Sequence, residues 1–188
     1  MTTAYLSGPI FTAFRAILLT KYSSGVMIEV SLFFVVQQGL SMTNPLEDII
    51  ARQGWCVADG ATGSNFFDRG LEAGYPPDLW CVERPEDVLW LHGAFLNAGA
   101  DVILTNSFGA NAPRLKLHKA EDRVAELNIA AAKLARTAAQ RHFDDTGRRT
   151  VVAGSIGPTG ELFEPMGSLT HEQTVAIFKD QTLALAEG

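Results

Sequence analysis

Three short apolar runs, each followed by a helical segment, predict an α/β protein with a parallel sheet, because a strand re-entered from the same end needs a crossover in between. Two further observations agree. Each run ends in a glycine-rich or polar cluster, as strands that feed a ligand-binding face do. The composition suits a soluble globular chain, with 188 residues, 47% hydrophobic and 19% charged. A formal charge of −6 argues against a nucleic-acid phosphate backbone as partner. Two architectures fit the alternation: a doubly wound sheet and a (β/α)8 barrel.

Residues 1–41 stand apart. They carry only the charges of Arg15, Lys21 and Glu29, around apolar clusters at 10–19 and 26–36. A secretory leader is opposed by the lack of positive charge ahead of the first cluster and by Arg15 inside it. The second cluster is far shorter than the ~20 apolar residues that cross a bilayer. The expectation is therefore an atypical apolar extension, with the working start at Met42; a targeting or membrane segment and a genuine structural element are the alternatives.

From Met42 the chain opens like a domain. Asn44 is a helix N-cap, Pro45 suits the first helical position, and Glu47 and Asp48 place acids in the first turn. Residues 46–53 are then a short helix ended by Gly54. Residues 55–58 form the first strand, apolar throughout and expected to be buried, with Cys56 a small core residue within it. Residues 64–72 read as a short helix broken by Gly70 and Gly74. A clear amphipathic helix begins at Pro85-Glu86-Asp87: Val88, Leu91, Phe95 and Ala98 recur at three- and four-residue steps, and Gly99 stops it. Residues 101–105 are the second strand. A long alanine-rich helix over 121–143 follows, with Val124, Leu127, Ala131, Leu134 and Ala138 as its buried stripe. Residues 150–153 are the third strand. Thr170 and Gln173 make a capping box for the last helix, where Val175, Phe178 and Leu185 face inward.

The chemistry is expected where the strands end. The clusters are Asp59-Gly60-Ala61-Thr62-Gly63-Ser64, Thr105-Asn106-Ser107-Phe108 and Gly154-Ser155-Ile156-Gly157-Pro158-Thr159-Gly160. In parallel α/β folds such ends converge on the ligand face. A carboxylate, an amide and a hydroxyl emerging together there could hold a small polar ligand; the plainer reading makes Asp59 and Asn106 local caps and the glycines turn formers. The glycine spacing in the third cluster is not that of a dinucleotide loop, and no prompt helix follows it. His92, His118, His142 and His171 are scattered and read as solvated or locally satisfied. Cys56 and Cys81 cannot build a disulfide framework and read as structural, which leaves a reducing cytoplasm as the default compartment.

On these residues, the chain from Trp55 onward resembles the homocysteine S-methyltransferase family, which includes betaine–homocysteine methyltransferases and the homocysteine-binding module of cobalamin-dependent methionine synthase. The matching pieces are DGATGS (59–64), ERPEDVLWLHGAFLNAGADVILTNSFGAN (83–111), Arg114-Leu115, ELNIAAAKLAR (126–136) and VAGSIGPTGELFEP (152–165). The opening MTNPLEDIIARQGW (42–55) looks most like the bacterial betaine-type branch. The resemblance implies a (β/α)8 barrel that moves a methyl group onto the sulfur of homocysteine, giving methionine. It implies a zinc ion, held by three cysteine thiolates, that lowers the thiol pKa of the substrate. Asp59 and Gly60 would contact the amino-acid end of homocysteine, and Asn106 and Ser155 would line the same mouth. Asp59 also suits an ammonium partner on charge alone. Betaine, another onium compound, or a methylfolate/cobalamin partner would supply the methyl group.

The family's zinc cysteines lie in later strands, and Cys56 and Cys81 match neither of those segments. A complete barrel usually needs ~250 residues. Residues 42–188 are therefore expected to be the N-terminal part of a homocysteine-binding barrel, about three β/α units, without zinc or catalytic residues of its own and inactive alone. A non-catalytic partial barrel completed by a separate chain is the alternative. An open third strand and an uncovered inner face are expected to invite self-association.

Overall fold

The computed structural model describes the backbone of two strands within the first 44 residues, at 11–21 and 27–37, and the whole of residues 45–188. The two strands, β1 (Phe11–Lys21) and β2 (Met27–Gln37), pair antiparallel with Phe11 opposite Gln37 and Lys21 opposite Met27. The sequence predicts an atypical apolar extension there, with a genuine structural element as one alternative and no strand specified. Asn44, the expected N-cap of the next helix, lies outside the described residues.

Helix α1 (Pro45–Gln53) runs to Gly54, which takes φ +80°, the left-handed value that a helix stop favours in glycine. Helix α2 (Thr62–Phe67) is shorter than expected, and a turn through Gly70 carries the chain to the buried Leu71. A 3-10 turn (Pro77–Leu79) and a single-turn helix, α3 (Trp80–Glu83), carry the buried Cys81. Helix α4 (Pro85–Asn97) begins at proline as read and is stopped at Gly99, φ +106°. Strand β3 (Val102–Leu104) leads through α5 (Ala112–Lys116) to the long α6 (Val124–Thr146). Strand β4 (Val151–Ala153) is followed by α7 (His171–Glu187), whose capping box between Thr170 and Gln173 has both of its hydrogen bonds.

Strands β3 and β4 pair in parallel, Val102 opposite Val151 and Leu104 opposite Ala153. The alternation of side chains gives the small sheet two distinct faces. Val102, Val151 and Ala153, with Leu104 beside them, meet Ile49 and Leu46 of α1 on one face. Ile103 and Val152 meet Leu96, Ala135 and Ala138 of α4 and α6 on the other. The inner face is thus covered by α1, contrary to the expectation that it lies open. The alanines of α6 matter because small side chains let a helix backbone approach the sheet closely.

Two expectations fail at the first strand. Residues 55–58 do not form a strand; only Ala58 bridges to Val102. Trp55 is 60% exposed, Val57 is 44% exposed, and Cys56 is exposed rather than buried. The segment is bonded on one side alone, through Asp101 and Val102 N–H to the Val57 carbonyl and Asp59 N–H to the Val102 carbonyl, and among the described residues no strand flanks its other edge. A run that is apolar for burial on both sides is here an edge. Val175 is also exposed, since α7 turns Gln181, Ala184 and Leu185 inward instead.

Candidate functional site

The parallel pairing sends the ends of the Ala58 bridge, β3 and β4 to one side of the sheet, and the three polar clusters sit there. Asp59 follows the bridge directly. Its Oδ2 accepts the Leu104 N–H at 2.8 Å, an amide at the end of β3. Its Oδ1 is buried and has no hydrogen-bond partner. Burial pushes the Asp59 carboxyl up to about 6, against the opposing pull of the Leu104 amide. A carboxylate half satisfied by the protein and half bare is poised to take a donor from a ligand. Gly60 sits close against Phe95: a Cβ there would come 3.1 Å from that ring, so the ring would have to shift by a few tenths of an ångström.

Asn106 is buried at the end of β3, and its amide is already engaged. Nδ2 donates to the Pro77 carbonyl at 2.7 Å, while the Cys81 thiol donates to the Asn106 carbonyl at 3.2 Å. Asn106 therefore ties the turn before α3 to the strand end. Burial pushes the Cys81 thiol up to about 12. Asp78 stands in the same turn and accepts the Gly109 N–H at 2.9 Å. Burial pushes Asp78 up to about 6.

Ser155 is held by its backbone. Its N–H donates to Thr105 Oγ1 at 2.9 Å, and its carbonyl accepts from Ser107 Oγ at 2.8 Å. Thr105 Oγ1 and Ser107 Oγ lie 2.6 Å apart, which closes a ring of hydroxyls between the ends of β3 and β4. Behind it, Gln181 of α7 donates to the Ser107 carbonyl at 2.8 Å and to Asn128 Oδ1 at 3.2 Å, and Asn128 donates to the Ala110 carbonyl at 2.8 Å. Asn111, fully buried, accepts the Arg114 N–H and directs its amide at the Gly157 and Pro158 carbonyls, both at 3.4 Å.

The structure thus joins Asp59 to β3 and Ser155 to β3, and turns Asn106 toward Pro77 and Cys81. Thr105 and Ser107 were within reach of sequence reasoning, being part of the second cluster. Gln181 and Asn128 were not, because a lone amide in an amphipathic helix carries no sign that it will be buried. His92 corrects the reading of the histidines. It is 2% exposed with neither ring nitrogen hydrogen-bonded, and burial pulls it down to about 4. Among the described residues no three His, Cys, Asp or Glu side chains gather as a metal site, and no helix is long and apolar enough to cross a membrane.

Helices on both faces of a parallel sheet, with polar groups gathered at the strand ends, define an α/β protein whose polar clusters lie where such folds place their ligands. Residues 56–188 match the homocysteine S-methyltransferase family, and the chain belongs to it. Its fold is similar to that of the homocysteine methyltransferase MmuM from Escherichia coli. The oxidized form superposes with TM-score 0.66 at 25% identity, covering 77% of this chain and 53% of that one. The metallated form gives TM-score 0.66 and 25% identity over 77% of this chain and 54% of its own. The apo form gives 0.61 and 25% over 77% and 49%. This chain spans about half the length of those enzymes.

Proposed function

We propose that residues 42–188 supply the amino-acid-holding strand ends of a homocysteine S-methyltransferase, as the first part of a (β/α)8 barrel. The observation that carries this reading is the bare Oδ1 of Asp59, buried at a strand end in a chain of this family. The ammonium of homocysteine would satisfy it, with Gly60 leaving room for close approach and Asn106 and Ser155 beside it. Above pH 6 the carboxyl is ionised and attracts the ammonium; below, protonation removes the attraction.

In the reaction proposed, the homocysteine sulfur attacks the donor's methyl carbon, and the bond from that carbon to the donor breaks with its electron pair leaving on the donor. Betaine, another onium compound or a methylfolate/cobalamin partner could each present such a carbon. Zinc thiolates would keep the sulfur nucleophilic at neutral pH. The cysteines of this chain do not fit that role: Cys81 is a buried thiol held to the Asn106 carbonyl, and Cys56 is exposed at an edge. Neither thiol is placed to hold a zinc ion, and the chain alone is proposed to hold the amino acid without turning it over.

Calorimetric titration of the 188-residue chain with homocysteine, beside Asp59→Asn and a methionine-formation assay, tests both parts. Binding at pH 7.5 that weakens at least tenfold in Asp59→Asn is expected, with no methionine formed. Equal affinity in the variant overturns the role of Asp59, and turnover overturns the claim of inactivity. The exposed edge at residues 55–58 favours a second reading, a partial barrel completed by a separate chain that carries the remaining strands.

A further inference from the structure

Ser155, just past the end of β4, is held by hydrogens that can be traced one at a time. A serine or threonine hydroxyl has a single hydrogen to give. Ser107 Oγ gives its own to the Ser155 carbonyl at 2.8 Å. Thr105 Oγ1, 2.6 Å from Ser107 Oγ, must then be the donor of that pair, and it accepts the Ser155 N–H at 2.9 Å. The ring therefore closes in one direction, from the Ser155 N–H through Thr105 and Ser107 to the Ser155 carbonyl. Both main-chain groups of Ser155 are fixed by it, and the Ser155 hydroxyl takes no part.

The ring is anchored from behind by two helices. Gln181 of α7 is fully buried, and its amide spends both hydrogens, on the Ser107 carbonyl at 2.8 Å and on Asn128 Oδ1 at 3.2 Å. Asn128 of α6, also fully buried, is held in turn by the Ala110 and Val124 carbonyls at 2.8 and 2.7 Å. Two acceptors allow the Gln181 amide one orientation, so α6 and α7 together aim it at Ser107. That orientation leaves Gln181 Oε1 buried without a partner. A bare buried oxygen costs stability that an apolar side chain of similar size would not cost. What the amide contributes is therefore direction. We propose that Gln181 is a positioning residue: through the Ser107 carbonyl it fixes the hydroxyl ring, and so sets where the Ser155 hydroxyl stands at the strand ends. The use of that hydroxyl rests on the homocysteine reading, whereas the hold on Ser155 does not.

Gln181→Met keeps the length of the side chain and removes both donors. Amide hydrogen exchange by NMR on the full 188-residue chain compares two positions. The Ser155 N–H lies inside the ring, and the Val151 N–H donates to the Asp101 carbonyl at the other end of β4. Ser155 exchange roughly tenfold faster in the variant, with Val151 unchanged, is expected. Homocysteine binding should weaken roughly tenfold with it. Faster exchange at both amides makes Gln181 a contributor to stability alone and overturns the proposal, as does unchanged exchange at Ser155. A parent chain that does not bind homocysteine overturns the homocysteine reading, and the ratio of the two exchange rates still decides the hold on Ser155. If Gln181→Met does not fold, Gln181→Glu decides. Its carboxyl has at most one hydrogen for the two acceptors, so the same ratio should rise, and a ratio equal to the parent's overturns the proposal.

Discussion

A buried histidine without a hydrogen bond is the most exposed energetic weakness at the scale of single residues. His92 must stay neutral in the folded protein, since burial pulls its pKa from 6.5 to about 4. The unfolded chain therefore binds a proton on this side chain that the folded chain refuses. Stability from this group is full above pH 6.5 and falls as pH drops toward 4, by on the order of 3 kcal/mol. His92→Leu keeps an apolar volume on the face of α4 and removes the proton site, so its Tm should exceed that of the parent at pH 4.5 by a wider margin than at pH 7.5. Thermal melts at the two pH values check it; a constant margin sinks the idea. Asp59 is the contrasting case. Its place was legible because a carboxylate follows an apolar run and precedes a glycine, while its bare oxygen was not, because only the Leu104 amide shows which oxygen is used.

Between elements, the close approach of the loops after β3 and β4 sets the shape of the strand-end surface. The Gly157 N–H donates to the Phe108 carbonyl at 3.0 Å, and a Cβ on Gly157 would lie 2.4 Å from that same oxygen. The obstacle is backbone, so relief requires the two loops to separate. Gly157→Ala should cost roughly 1–3 kcal/mol in urea unfolding, as overpacking does, and should weaken homocysteine binding by moving Ser155. An alanine variant as stable as its parent would show that the loops part freely. Glycine spacing had already excluded a dinucleotide loop, yet it gave no hint that Gly157 faces Phe108, because that contact joins residues from different β/α units. The same limit hides the brace from Gln181 to Ser107 and on to Ser155, whose bonds reach across 74 and 48 positions. Local signals fared better: Pro85, Gly99 and the Thr170–Gln173 box mark their helix ends where periodicity and capping place them.

For the molecule as a whole, the parallel order and the helices around it were legible from alternation, whereas the burial of residues 55–58 was not. Apolar content says that a segment suits a core and leaves open whether neighbours flank it on both sides. Here Val57 bonds inward to Asp101 and Val102, while Trp55 and Val57 stay exposed. An edge of this kind recruits strands from other chains, and natural edges are guarded by lysine or proline. Neither stands within 55–58. Association is therefore predicted to run through the 55–58 end. Sedimentation velocity of the 188-residue chain at tens of micromolar should show concentration-dependent oligomers, and Val57→Lys should return it to a monomer without lowering its unfolding free energy by more than about 1 kcal/mol. A monomeric parent at those concentrations, or oligomers that persist in Val57→Lys, would place the sticky surface elsewhere.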